Sequence, residues 1–286
     1  MQVRLTFLPS VLALTLAVSG SVSAQEAAAP AEKAVLTPAT SDIGLGFNAV
    51  PMLRYVGNTF NGSTSNTAYT SFVDGSQSIF VKYVMAPQQV IRLRVNPTMT
   101  RTTLHSEVPN DDAESRDPGD TVTDTAHSSS AGIDIGGGLE MRRGGRRIQG
   151  FYGAEARLSL SNSKASYEYG NAMEEDNPSP TSTDFINGGV YGNDTRILTD
   201  NPGAVFGFGL RGFVGLEYFI APQISLGGEF GWGPMVTKLG EGSREIEWWD
   251  YSEDESNTST QTFLSDGYFS AGTDVMDGAI VLMFYF

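Results

Sequence analysis

The chain has 286 residues, a formal charge of −15 at neutral pH, 33 glycines and no cysteine. The acid excess excludes a nucleic-acid partner, which needs a basic face, and the lack of cysteine excludes disulfides and a lipidated amino terminus. Mean hydropathy is slightly negative, and past the first residues no helix-period pattern persists, which argues against both a helical membrane protein and an ordinary soluble globule.

The first element is a targeting segment. Arg4 precedes an apolar run from Leu5 to Val18, and Val22-Ser23-Ala24 precedes Gln25. This pattern predicts a secretory signal over residues 1–24, cleaved between Ala24 and Gln25. The run contains Pro9 and falls short of the about 20 residues a membrane helix needs. Residues 25–40, rich in Ala and Pro, read as a flexible linker.

Residues 41–286 then alternate with a period of two, which predicts strands with two unlike faces. The first, over 42–57, sets Ile43, Leu45, Phe47, Ala49, Leu53 and Tyr55 against Gly44, Gly46, Asn48 and Arg54. A polar loop with Asn61-Gly62 follows. The second, over 78–85, sets Ile79, Val81, Tyr83 and Met85 against Phe80, Lys82 and Val84, and turns at Ala86-Pro87-Gln88. In the third, Ile91, Leu93, Val95 and Met99 oppose Arg92, Arg94, Asn96, Thr98 and Thr100.

After a long acidic loop the fourth strand, over 131–141, places Ile133, Ile135, Leu139 and Met141 against Asp134, Gly136, Gly138 and Glu140. Arg143-Gly144-Gly145-Arg146 forms a compact turn into the fifth, where Tyr152, Ala154, Leu158 and Leu160 oppose Glu155, Arg157 and Ser159. A second long loop, 162–203, precedes the sixth strand. There Phe206, Phe208, Leu210, Val214, Leu216 and Tyr218 face away from Gly207, Gly209, Arg211, Gly215 and Glu217. The chain turns at Ala221-Pro222-Gln223 into the seventh, with Leu226, Phe230 and Trp232 opposing Gly227, Glu229 and Gly231. In the last strand Ile280, Leu282, Phe284 and Phe286 share one face, and Val281, Met283, Tyr285 and, further back, Asp277 share the other.

An even strand count, an apolar final strand ending on Phe286 and short turns all on the side of the chain ends together resemble the small bacterial outer-membrane β-barrels. The segment Gly207 to Gly233 looks like the glycine-alternating strands common in those of Bacteroidota. The resemblance implies an all-β, antiparallel, up-and-down transmembrane β-barrel over 41–286, of about eight strands, with short periplasmic turns and long extracellular loops. It implies the outer membrane of a Gram-negative cell, with outer-membrane lipids and lipopolysaccharide around the barrel. It also implies that Ile280, Leu282, Phe284 and Phe286 form the signal read by the barrel-assembly machinery. A hairpin around Tyr167 and Tyr169 would instead raise the count to ten.

On the inner face, Lys82, Arg92, Arg94, Arg157 and Arg211 meet Asp134, Glu140, Glu155, Glu217, Glu229 and Asp277. An eight-stranded barrel is just wide enough to be filled by side chains, so these groups are expected to form a paired ion network. Two readings stay open at this point, a structural plug and a narrow porin-like passage for water, ions or very small solutes. The acidic loops are expected to be solvated faces. They could present Trp248, Trp249 and Tyr251 to an extracellular protein or other surface ligand, or share divalent cations with lipopolysaccharide.

Catalysis would need a histidine placed by an acid and near a nucleophile, as in a lipid-modifying barrel enzyme. The two histidines, His105 and His127, adjoin Ser106 and Ser128, but neighbours on a strand point to opposite faces. Gly207 to Gly212 fits the letter of a dinucleotide motif but lies inside an alternating strand, without the strand-to-helix context that binds phosphate. The expectation is therefore a non-enzymatic surface protein with no catalytic residue, cofactor or resident metal.

Overall fold

The computed structural model describes residues 36–49, 53, 57, 60, 78–112, 119–145, 147–274 and 280–286. The signal segment with Ala24 and Gln25, most of the linker, the Asn61-Gly62 loop and Asp277 lie outside the described residues. The strands are β1 (Ile43–Asn48), β2 (Ile79–Ala86), β3 (Gln89–Pro109), β4 (Thr121–Gly144), β5 (Ile148–Glu168), β6 (Thr181–Thr183), β7 (Val190–Gly192), β8 (Thr195–Asn201), β9 (Val205–Ala221), β10 (Ile224–Leu239), β11 (Gly242–Asp250), β12 (Glu255–Phe263), β13 (Gly267–Asp274) and β14 (Val281–Tyr285).

Eight of these strands close an antiparallel ring in the order β1-β2-β3-β4-β5-β9-β10-β14. Closure is made by β14 against β1, with Leu45 opposite Phe284 and Phe47 opposite Leu282. Ile43 and Phe286 exchange backbone hydrogen bonds of 3.1 and 2.9 Å at its end. The remaining strands build outward from the far rim. β8, β11 and β12 extend the sheet from β5, β13 pairs with β10, and β6 and β7 form a separate hairpin. Among the described residues no helix is long and apolar enough to cross a membrane.

Alternation of the two faces explains why these segments become strands. In β9 exposed and shielded residues alternate without a break from Phe206 to Ile220. The outward set of the ring is apolar and open to its surroundings, with Leu45 47 %, Leu210 56 % and Leu216 63 % exposed. The inward set contains the charges.

The register corrects several expected boundaries. The first strand stops at Asn48, and Leu53, Gly57 and Phe60 are helical rather than extended. The sequence puts Pro51 just beyond, and proline cannot donate to a ladder. The third, fourth and fifth strands are instead far longer than expected, at 21, 24 and 21 residues. Much of the polar sequence expected as loop, including 101–109, 121–130 and 162–168, is therefore strand. Tyr167 lies in β5 itself, and the extra hairpin of that region is β6–β7, which does not enter the ring.

Candidate functional site

The base of the ring, at its turn end, is apolar. Phe80, Val84, Val90, Phe219, Met283 and Tyr285 pack together there, against Leu36 and Val281. Phe219 and Tyr285 rings lie 6.0 Å apart. The space for these large groups is made by glycines across the strands, for a Cβ on Gly44 would strike the Tyr285 ring and one on Gly46 the Met283 sulfur.

Above this base lies a layer of buried charge. Arg92 sits at its centre, bonded in a fork to Glu229 (Nη1 to Oε2 2.7 Å, Nη2 to Oε1 3.0 Å), with Glu155 at 3.2 Å and Glu140 at 3.6 Å. Arg211 reaches Glu229 at 2.7 Å and Glu155 at 3.4 Å. Lys82 reaches Glu140 at 3.0 Å and Glu217 at 3.7 Å. Arg142 joins the last two carboxylates, at 2.8 Å to Glu140 and 3.0 Å to Glu217, and donates to Tyr285 Oη at 2.6 Å. Tyr285 and Ser225 hydroxyls both donate to Glu217 Oε1.

The layer thus holds four cations, Lys82, Arg92, Arg142 and Arg211, against four carboxylates, Glu140, Glu155, Glu217 and Glu229. None of these side chains is more than 7 % exposed. Aromatic faces cover the cations from below and beside, with Lys82 4.7 Å from the Phe151 centroid and Arg92 4.1 Å from that of Phe213. The second oxygens of Glu140, Glu155 and Glu217 make no aligned hydrogen bond, yet each lies 3.0 to 3.2 Å from a cationic nitrogen. They are held by charge proximity. Desolvation offsets most of the attraction in such a layer, but removing one member leaves an opposite charge stranded, at a cost of about 3 to 5 kcal/mol.

Of the expected inner-face ions, Lys82, Arg92, Arg211, Glu140, Glu155, Glu217 and Glu229 are brought together. Arg94 and Arg157 lie one step farther from the turns, both opposite Gly136. Asp134 is half-buried opposite Asn96, and among the described residues it makes no ion pair. Arg142 was not expected. The sequence reading ended the fourth strand at Met141, whereas β4 runs to Gly144, and one more step of its alternation past Glu140 turns Arg142 inward. A void of about 20 Å³ remains beside Lys82, Arg92 and Glu229, room for about one water.

Past the rim the inner faces of β3 and β4 continue and gain a second, smaller core. Val108 and Asp124 are fully buried there and Ala126 nearly so. The chain after β5 folds onto them. Asp124 accepts the backbone N–H of Gly170 at 2.8 Å and of Thr183 at 2.6 Å, while Asn171 donates to the carbonyls of Pro109 and Thr181. Arg196 holds the cover from the other side through Glu247 at 2.7 Å and the Asn171 carbonyl at 2.8 Å. Burial pushes the Tyr169 hydroxyl up from its ordinary range, helped by the nearby Asp124 charge and opposed by Arg196. In the β6–β7 hairpin Asp184 accepts hydrogen bonds from Asn187 and Tyr191, which hold its carboxyl well below the usual carboxylate range.

The remaining surface candidates are dispersed. Trp249 is buried in β11 and Tyr251 is exposed. His105 and His127 are exposed and bond the cross-strand hydroxyls of Thr125 and Thr103, each at 3.1 Å. Ser106 stands opposite Asp124 and Ser128 opposite Thr102, so neither serine faces a histidine. Among the described residues no three His, Cys, Asp or Glu side chains gather as a metal site. Of the four terminal-strand residues, Phe286 is 71 % exposed, Ile280 38 %, and Phe284 stacks on Phe47 at 6.2 Å. No protein-family model matches the chain, and no curated protein is similar enough in sequence to serve as a relative.

Proposed function

We propose that this chain is a non-enzymatic outer-membrane β-barrel protein, with a lumen closed by its own side chains and a far-side sheet that serves as an interaction surface. One observation carries this reading, the inversion of the ordinary arrangement. All eight ring strands turn large apolar side chains outward, while eight ionised groups are sealed inside. Water would oppose such a surface, since exposed apolar patches beyond a few hundred Å² are rare in soluble monomers. Hydrocarbon favours it, and a closed ring leaves no backbone edge unpaired in lipid. The short turns and the Ile43–Phe286 end of the closure then belong to the periplasmic side, and the sheet of β11 and β12 to the exterior.

The ion layer supports a plug over a pore. Beside Lys82, Arg92 and Glu229 it leaves a void of only about 20 Å³, room for about one water. In planar bilayers the full-length mature protein is expected to give no steady single-channel steps, and Arg92→Leu or Glu229→Gln to introduce none of defined size. Steady openings of the native protein, altered by charge reversal at Arg94 or Arg211, would sink the plug and favour a narrow passage.

A further inference from the structure

On the outward wall beside the β4–β5 turn, a hollow of about 840 Å³ is lined almost wholly by apolar atoms. Its origin lies in one row of residues across four strands. Arg143 stands opposite Gly150, Gly150 opposite Leu216, and Leu216 opposite Gly228. The two glycines leave slots on either side of Leu216. The next row away from the turn, Tyr152, Val214 and Phe230, forms the upper wall.

The same corner is cationic. In a chain of net charge −15, Arg142-Arg143-Gly144-Gly145-Arg146-Arg147 places its arginines in a single turn. Arg142 points inward to the ion layer. Arg143 and Arg147 are exposed and, among the described residues, make no ion pair. The lumenal carboxylates nearest them, Glu140 and Glu217, are already paired within.

Resting on the outer-membrane reading, we infer that this hollow is a binding site for an anionic glycerophospholipid of the periplasmic leaflet. One acyl chain lies in the slots beside Leu216, and the phosphate meets the guanidinium group of Arg143, which lines the hollow and suits bidentate phosphate contacts, with Arg147 of the same turn adding positive charge. An apolar trench alone would take any lipid. The cationic turn at its end makes it select negative charge.

The test is native mass spectrometry of the full-length mature protein in mild detergent, with equimolar phosphatidylglycerol and phosphatidylcholine. The native protein is expected to retain phosphatidylglycerol preferentially, by about fivefold for each arginine engaged. Arg143→Gln with Arg147→Gln should remove that preference, and Arg101→Gln on the far sheet should leave it intact. Gly150→Leu should lower retention of both lipids, because its side chain fills the slot. Its Cβ would meet Arg143 O at 3.5 Å and Leu216 Cδ2 at 3.8 Å, ordinary contacts that the fold accommodates. Equal retention of the two lipids by the native protein, or an unchanged preference in the double arginine variant, overturns the site. The membrane reading fails separately, by the native protein staying in solution without detergent and not floating with vesicles.

Discussion

β3, β4 and β5 each pass through two regions, and the contrast between their halves shows what the side chains, rather than the backbone, determine. In the turn-side half, Ile91, Leu93, Leu139 and Tyr152 stand exposed outside while Arg92, Glu140 and Glu155 are buried inside. In the far half the same ladder continues in register, but Thr102, Thr103, His105 and Ser128 to Ser130 give it polar residues on both faces. There the buried groups are held by covering chain, with Asp124 gripping Gly170 and Thr183. One ladder thus carries two arrangements. The first half sets apolar side chains outside and charge within, which on the proposed reading suits hydrocarbon around it, and the second sets polar residues on both faces.

The comparison is broken most forcefully through the ions. Arg92→Leu leaves Arg211 alone to balance Glu229 and Glu155 in the closed layer and is expected to lower stability by about 3 to 5 kcal/mol, read from the urea midpoint in lipid vesicles. Arg244→Gln removes the far sheet's 3.0 Å pair with Asp200, whose side chains are 34 % and 24 % exposed. That loss should stay under about 1 kcal/mol. Comparable shifts would mean that the two regions share one electrostatic environment.

Exposed leucines on the ring's outer face and, beyond the rim, on the continuation of the inner face of β3 come next. Leu210 and Leu104 are 56 % and 52 % exposed, so accessible area alone predicts the same response to arginine. Leu210→Arg should cost about 2 to 4 kcal/mol if that position faces the bilayer interior, and Leu104→Arg under about 0.5 kcal/mol. Asp124→Ala sharpens the distinction within the far half. It leaves the Gly170 and Thr183 amides without their acceptor, at about 1 to 3 kcal/mol for a stranded buried group. Hydrogen exchange should speed at those two amides and remain unchanged at Val214 and Leu216.

The smallest effect is confined to the β6–β7 hairpin. Because the Asp184 carboxyl is depressed in the folded protein, its stabilisation is complete above the ordinary aspartate range and is lost as pH falls through the lowered folded value. Asp184 should therefore titrate by NMR below the ordinary aspartate range. Titration within that range would remove the hydrogen-bonded turn from the account.

The ring was legible because its outer and inner faces carry opposite side chains, and a period of two carries that contrast along every strand. The far half was not legible as strand for the converse reason. A segment such as Arg101 to Glu107 has similar polarity on both faces, so alternation leaves no trace in hydropathy. Arg142 was within reach, since Glu140 already fixed the parity of β4, but the arginine-glycine run looked like a turn one residue too early. The roles of Tyr285 and Ser225 in holding Glu217 were hidden differently. Their inward positions follow from alternation, whereas the convergence of β4, β9, β10 and β14 on one carboxylate depends on closure of the ring.

The most direct test of the central claim uses the lack of cysteine in the chain, which makes any introduced thiol a unique label. Nitroxides at Leu210→Cys and Leu104→Cys in the vesicle-inserted protein would be compared by electron paramagnetic resonance for access to oxygen, which dissolves in lipid, and to a water-soluble nickel chelate. The account predicts strong oxygen and weak nickel access at position 210, and the reverse at position 104. Equal nickel access at the two positions would contradict it.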